Sequence, residues 1–368
     1  MTHRNTSLLG TFLDSGAPAG STDYTTLVVI HGLGFHGGNF RKLIPLASQF
    51  NARVVVMNRR DYPGSVPFTP KERAEIARLA DAPAGTPGAA EATETFMKER
   101  GRELYDYLVD LVKCGGVLPA QDQDKKKGGI VLAGWSLGTL WISALLAHVS
   151  SFPVTEVDLT KYVRRIVYYD VPYLCLGYPM PDGLYVPLHD AELAPEEWLE
   201  HFCKWISAYY SHGDVARDGV SALESRHYLE NPSPTTSRMT TEEVAQCKYD
   251  APGNPGGSDN GVVVACITRH GTCASLRKGA FRLRETVSGM DDWRDVEVRY
   301  LWCDASTWEM PLGAWTLRKE LEEAEKAGEI VRKVEYVRFR GANHFAHWDQ
   351  PELTLRGLVG NDVELPWL

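Results

Sequence analysis

Six stretches of the chain are apolar and rich in β-branched residues, and each gives way to a turn or a polar run. They are "TTLVVIHG" (25–32), "ARVVVMNRR" (52–60), "GIVLAGWS" (129–136), "RRIVYYDVP" (164–172), "VEVRYLWCD" (296–304) and "KVEYVRFRGANH" (333–344). Short runs of this composition, bounded by turn residues, predict strands. Their near-continuous apolarity is what a parallel sheet covered on both faces requires. Helical spacing fills the intervals around 37–50, 90–113, 137–150 and 312–328. Strands alternating with helices predict an α/β fold with a mostly parallel central sheet flanked by helices.

The pattern breaks between the fourth and fifth strands, where residues 174–292 are too many for a simple crossover. Within them "PEEWLEHFCKWISAYY" opens with Pro195 and places Trp198, Leu199, Phe202, Trp205, Ile206 and Tyr209 along one helical face. Thr240 and Glu243 stand in capping-box register, while "NPSPTTS" and "DAPGNPGGSDNG" read as loops. A mainly helical insertion over one edge of the sheet is expected. It divides the chain into core (1–173), cap or lid (174–292) and core again (293–368).

The 23 residues from Gly128 to Ser150 carry no charge, and their Gly134-x-x-x-Gly138 has the spacing of a close-packed membrane helix pair. The same segment spells Gly134-Trp135-Ser136-Leu137-Gly138, the G-x-S-x-G turn that presents a nucleophilic serine between a strand and a helix. Two glycines flanking a serine after Ile130-Val131-Leu132-Ala133 suit a strand and tight turn better than a helix interior. The partners such a serine needs follow in order. Asp304 closes the strand "RYLWCD", His344 sits in the loop "GANHFAHWDQPE" after the last strand, and His31-Gly32-Leu33-Gly34 offers backbone amides after the first.

With those motifs the chain resembles the α/β-hydrolase superfamily over most of its length outside the insertion. His31-Gly32-Leu33-Gly34 is similar to that family's oxyanion loop, "NRRDYPGS" (58–65) to the loop after its next strand, and "GANHFAHWDQPE" (341–352) to its histidine loop. The segment "LCLGYPMPDG" (174–183) is similar to fungal members. The resemblance implies an α/β-hydrolase fold with a cap, and a catalytic set of Ser136, Asp304 and His344. It also implies an oxyanion hole from the Leu33 and Leu137 amides. Asp170, which also ends a strand, is the alternative acid. Gly34, Phe35, Trp135, Trp205 and Tyr209 are candidates for substrate contact. His31 is expected to bond within its loop, His347 to pack or cap a helix, and Arg59 and Arg60 to form local salt bridges at a solvated strand end.

Composition narrows the chemistry. A formal charge of −9 lacks the cationic face that nucleic acid or an anionic membrane requires, and Lys125-Lys126-Lys127 reads as a solvated loop. Seven dispersed cysteines without a C-x-x-C pair, and a first segment without a signal-peptide core, predict reduced thiols in a cytoplasmic protein. No stable membrane insertion is expected. His344-x-x-His347 and the Cys266, His270, Cys273 group fall short of a metal site, so neither metal nor cofactor is expected. The expected partner is a small-molecule substrate; oligomeric state stays open, a homodimer included. Ester or lactone hydrolysis ranks first, ahead of lactone-forming acyl transfer and C–C hydrolysis with the same residues. A receptor-like binding protein with little turnover is the reading from another class.

Overall fold

The computed structural model describes residues 7–121, 126–154, 156–187, 190, 192–285 and 292–361. Lys125 of the basic run, the first six residues, the stretch 286–291 at the end of the expected insertion and the side chain of Leu199 lie outside that description.

Seven strands form one sheet: β1 (Gly10–Asp14), β2 (Thr25–Ile30), β3 (Ala52–Asn58), β4 (Ile130–Trp135), β5 (Val163–Tyr169), β6 (Glu297–Cys303) and β7 (Val334–Phe339). Their spatial order is β1-β3-β2-β4-β5-β6-β7, parallel except for the edge pair β1 and β3. The expected mostly parallel sheet is therefore present, and its six parallel strands are the six apolar runs. Strand β1 has no counterpart among them: five edge residues, three half-buried and two exposed, give a weak apolar signal.

Helices cover both faces: α1 (Pro70–Asp81), α2 (Ala89–Lys113), α3 (Thr139–His148), α4 (Pro195–Ile206), α5 (Thr241–Cys247), α6 (Ser258–Val263), α7 (Thr272–Phe281), α8 (Glu309–Lys326) and α9 (Pro351–Val359). Alternate strand residues divide between two cores. Val28, Ile30, Val55, Met57, Ile130 and Leu132 face a layer containing Leu104 and Leu108 of α2, Leu145 of α3 and Leu317 of α8. Leu27, Val29, Val54, Val56, Val131 and Ala133 face Phe40, Leu43, Leu355 and Leu358. Each fully buried leucine contributes about 1.5–3 kcal/mol relative to exposure. Residues 37–50 form a 3-10 segment with Pro45 inside it, where a missing N–H disfavours a regular α-helix.

Helix α1 was not among the expected helices, although Thr69 and Glu72 cap it reciprocally and Pro70 fills its first position. The same reciprocal cap holds α5 at Thr240 and Glu243, as its spacing predicts. The long segment between β5 and β6 does not lie over one edge alone. Helix α7 packs on the sheet with α2 and α3; Leu276, Ala280 and Phe281 are buried, and the Phe281 and Tyr168 rings lie 5.0 Å apart. It is a crossover helix of the core face.

The uncharged stretch divides at Ser136 into strand β4, a 3-10 turn (Ser136–Gly138) and α3, whose residues Thr139–Leu146 are all buried. Burial in protein explains its lack of charge. No helix among the described residues is long and apolar enough to cross a membrane.

Candidate active site

Parallel registry sets which loops meet above the sheet. Ile30 pairs with Gly134, and Trp135 pairs with Tyr169. The residues that follow β2, β4 and β5 therefore leave the sheet side by side: His31, Ser136 and Asp170. Strands β2 and β4 are also where the strand order turns from one direction to the other, the place where open α/β sheets form crevices at their carboxyl ends.

Ser136 has φ of +55°, in the left-handed region that a side chain makes costly, by about 1–3 kcal/mol. Close backbone approach holds it there. A Cβ on Gly138 would lie 2.6 Å from His31 O, and one on Gly32 would lie 2.8 Å from Ser136 Cβ and 3.2 Å from its Oγ. Only glycine at 32 and 138 lets the first loop press on the serine turn. Thr139 Oγ1 donates to Ser136 O at 2.6 Å, pinning the turn to the start of α3.

His344 is buried, and its Nδ1 lies 2.6 Å from Asp170 Oδ2. A carboxylate only accepts, so Nδ1 carries the proton and Nε2 presents a lone pair. Among the described residues that buried Nε2 has no hydrogen-bond partner. The Trp135 ring stacks on the imidazole at 4.6 Å, and its Nε1–H donates to His344 O. Trp135, expected to touch substrate, thus holds the histidine from the residue before Ser136.

Asp304, expected to face His344, does not. Its Oδ2 accepts from Arg338 Nε at 2.9 Å and its Oδ1 from Gly341 N at 2.7 Å. The registry explains the correction. Asp170 leaves β5, the neighbour of the serine strand, whereas Asp304 leaves β6, one strand farther away. Asp170 is fully buried with φ of +49°, and it also accepts from Cys303 N (2.7 Å) and Ser306 Oγ (2.6 Å).

The loop from His31 to Gly34 is held from behind. Arg59 N donates to His31 Nε2 at 3.1 Å, so the proton sits on Nδ1, which faces Gly32 O at 2.9 Å. Burial, then the nearby Arg59 charge, pushes the His31 imidazolium well below its ordinary range, so the ring is neutral. That matches the intraloop role expected for it. Arg59 and Arg60 are not solvated. Arg59 is 1% exposed and paired with Asp259 through two contacts of 2.6 Å, while Arg60 binds Glu72 and Glu103. Nothing local in the sequence assigns a role to Tyr62 or Asp259; an arginine pair after the apolar run 54–57 is the available signal.

Phe35 is buried edge-on against Phe345, and Gly34 receives Tyr249 N on its carbonyl and donates its own N–H to Tyr62. Trp205 Nε1 donates to Ser225 O, and Tyr209 donates to Asp349 at 2.6 Å, so both polar groups are engaged within the protein. Leu33, Gly34 and Phe35 share a cleft with Trp198, Phe202 and Cys203 of α4. Its volume of about 10 Å³ holds roughly one water. His347 accepts from Asn39 at 2.7 Å, lies 3.2 Å from Tyr169 OH and stacks on Phe40. His270 faces Leu79 O. Among the described residues no group of three or more His, Cys, Asp or Glu is placed to hold a metal ion.

The sequence profile of the alpha/beta hydrolase family matches residues 27–356. Among solved structures, a laboratory-evolved variant of potato epoxide hydrolase is similar at 11% identity and a TM-score of 0.50, over 93% of this chain and 92% of that one. Cfl2 from Burkholderia cenocepacia is similar at 14% identity and a TM-score of 0.48, over 92% and 87%. Carboxylesterase CesB from Bacillus subtilis is similar at 15% and 0.42, over 93% and 86%. At 11% identity the likeness to the potato enzyme speaks for fold alone. No curated protein matches the sequence.

Proposed function

The chain belongs to the alpha/beta hydrolase family, and on that premise we propose that it is a serine hydrolase opening a carboxylic ester or lactone of a small to medium hydrophobic metabolite. One observation carries this reading: a buried histidine engages a buried carboxylate through Nδ1, keeps Nε2 unpartnered among the described residues, and stacks on Trp135, the residue before the strained turn of Ser136. Ser136 Oγ attacks the carbonyl carbon while His344 Nε2 takes its proton. Asp170, in place of Asp304, steadies the imidazolium. The amides of Leu33 and Leu137 hold the oxyanion, the latter at the start of the helical turn where N–H groups converge. His344 returns the proton to the leaving oxygen. Water attacks the acyl-enzyme in a second cycle and releases the acid.

A serine at the elbow suits acyl transfer rather than epoxide opening, for which a carboxylate nucleophile would be expected. The segment after β5 serves as the cap, its α4 lying against the oxyanion loop. Ser136 and His344 are 8% and 1% exposed, which favours a second reading in which an internal hydroxyl replaces water and a lactone forms.

Fluorophosphonate labelling followed by turnover of short p-nitrophenyl esters tests the proposal. Labelling of wild type and not of Ser136→Ala, with ester turnover, is expected. Folded wild-type protein that takes no label would sink it, and labelling without turnover would favour the receptor-like reading.

A further inference from the structure

A trans peptide points its C=O and N–H in opposite directions, so whatever grips the carbonyl of one residue aims the amide of the next. Gly32 O and Leu33 N–H belong to one such peptide. Arg59 Nη2 donates to Gly32 O at 2.8 Å, beside the His31 Nδ1–H contact of 2.9 Å, and Arg59 Nε donates to His31 O at 3.3 Å. Gly34 N donates to Tyr62 OH at 3.2 Å, and Tyr62 OH donates to Asp259 Oδ2 at 2.7 Å. None of these bonds uses the Leu33 N–H.

The guanidinium that grips two carbonyls is itself fixed on every side. Asp259 takes it through two bonds of 2.6 Å, and the Trp141 ring lies 4.2 Å from its carbon. Burial opposes the Arg59 charge, yet Asp259 keeps it above its ordinary pKa, so the cation is permanent. Asp259 is 2% exposed and comes from α6, in the segment between β5 and β6. Helix α6 rests on α1, where a Cβ at Gly261 would lie 2.3 Å from Ile76 Cγ2.

We propose that Arg59 and Asp259 are positioning residues of the oxyanion hole: the guanidinium aims the Leu33 N–H by holding the Gly32 carbonyl, and Asp259 lets the inserted segment set that aim. The inference rests on the acyl-transfer reading of Ser136. It gives the insertion a second task besides covering substrate, because displacement of α6 would release the guanidinium and turn the amide away. A fixed cation behind the peptide also polarises it, strengthening the N–H as a donor to developing negative charge.

The test compares an oxygen ester with its thionoester, whose developing charge falls on sulfur, a poor acceptor of amide hydrogen bonds. Asp259→Asn removes the charge that clamps the guanidinium; Arg59→Lys keeps the charge and loses the fork that grips two carbonyls. In each, kcat for the oxygen ester should fall about tenfold to a hundredfold with KM changed less than about threefold, and the oxygen-to-thiono rate ratio should fall with it. A purely structural role would lower the active fraction and both rates together, leaving the ratio untouched. An unchanged ratio in a folded variant overturns the proposal. Where either variant fails to fold, Asp259→Glu decides, since it keeps the charge and shifts the guanidinium it clamps. There a fall in the ratio of about threefold to tenfold is expected, and an unchanged ratio again overturns it. Failure of the underlying reading looks different: Ser136→Ala would retain wild-type ester turnover, and the inference would fall with it.

Discussion

His344 Nδ1 and Asp170 Oδ2, 174 residues apart in sequence, meet at 2.6 Å in a fully buried contact. The carboxylate has two further donors, Cys303 N and Ser306 Oγ, so its orientation does not depend on the histidine. Asp170→Asn should keep those neighbours in place while offering an amide in place of the carboxylate, turning the imidazole toward the wrong tautomer. A loss of about 10⁴-fold in kcat is expected, read from p-nitrophenyl ester turnover by variant protein with a wild-type melting profile.

Asp304 should behave in the opposite way. Its bonds to Arg338 and Gly341 tie the end of β6 to the chain leading into the histidine loop, at side-chain exposures of 16% and 31% for the ion pair. Partial solvation weakens such a pair, so Asp304→Asn should cost about 1 kcal/mol of stability. Urea unfolding would show the shift, and kcat should stay within about threefold of wild type. A catalytic collapse in this variant with Asp170→Asn unaffected would restore Asp304 as the acid.

The contrast between these two residues shows what the chain discloses before it is folded. Both close an apolar strand, and nothing in local composition says which strand neighbours that of Ser136. Strand order and the pairing of Trp135 with Tyr169 decide it, and both are long-range properties. The serine turn was legible because its requirements are local: two glycines, a strand before and a helix after. The surroundings of Arg59 are hidden from local sequence in the same way as those of Asp304. Asp259, the partner of Arg59, is 200 residues away, so an ion pair buried in the fold looked like a charge at a solvated strand end. Strand β1 escaped through its short, half-exposed pattern, whereas α1 carried a full capping signal at Thr69, Pro70 and Glu72 that periodicity alone did not bring forward.

Gly138 offers a test of how closely the oxyanion loop and the serine turn are fitted. An added methyl would stand 2.6 Å from His31 O and 2.8 Å from Ile30 O, both backbone atoms at the end of a central strand. Neither can move without disturbing β2. Gly138→Ala should therefore destabilise the protein by about 1–3 kcal/mol and lower kcat more than it raises KM. Denaturant unfolding and steady-state kinetics on the same preparation would check both. Wild-type stability together with wild-type turnover would mean that the loop yields more readily than its packing implies.

Glu309 gives a pH dependence whose sign can be worked out. It opens α8, its carboxyl is buried, and Leu174 N donates to its Oε2 at 3.1 Å. Burial pushes its pKa up to about 7, offset only in part by the Leu174 amide. In the unfolded chain the same carboxyl titrates near 4.5. Between these two values the folded state binds the extra proton, so stability falls as pH rises. This contribution is complete below about 4.5 and lost on passing through about 7, reaching at most about 3 kcal/mol. Glu309→Gln keeps an acceptor for the Leu174 amide and cannot ionise. It should melt above wild type at pH 8, and the difference should shrink toward zero by pH 5. Thermal unfolding of both proteins across that range is the measurement, and a difference independent of pH would show that Glu309 stays charged throughout or neutral throughout.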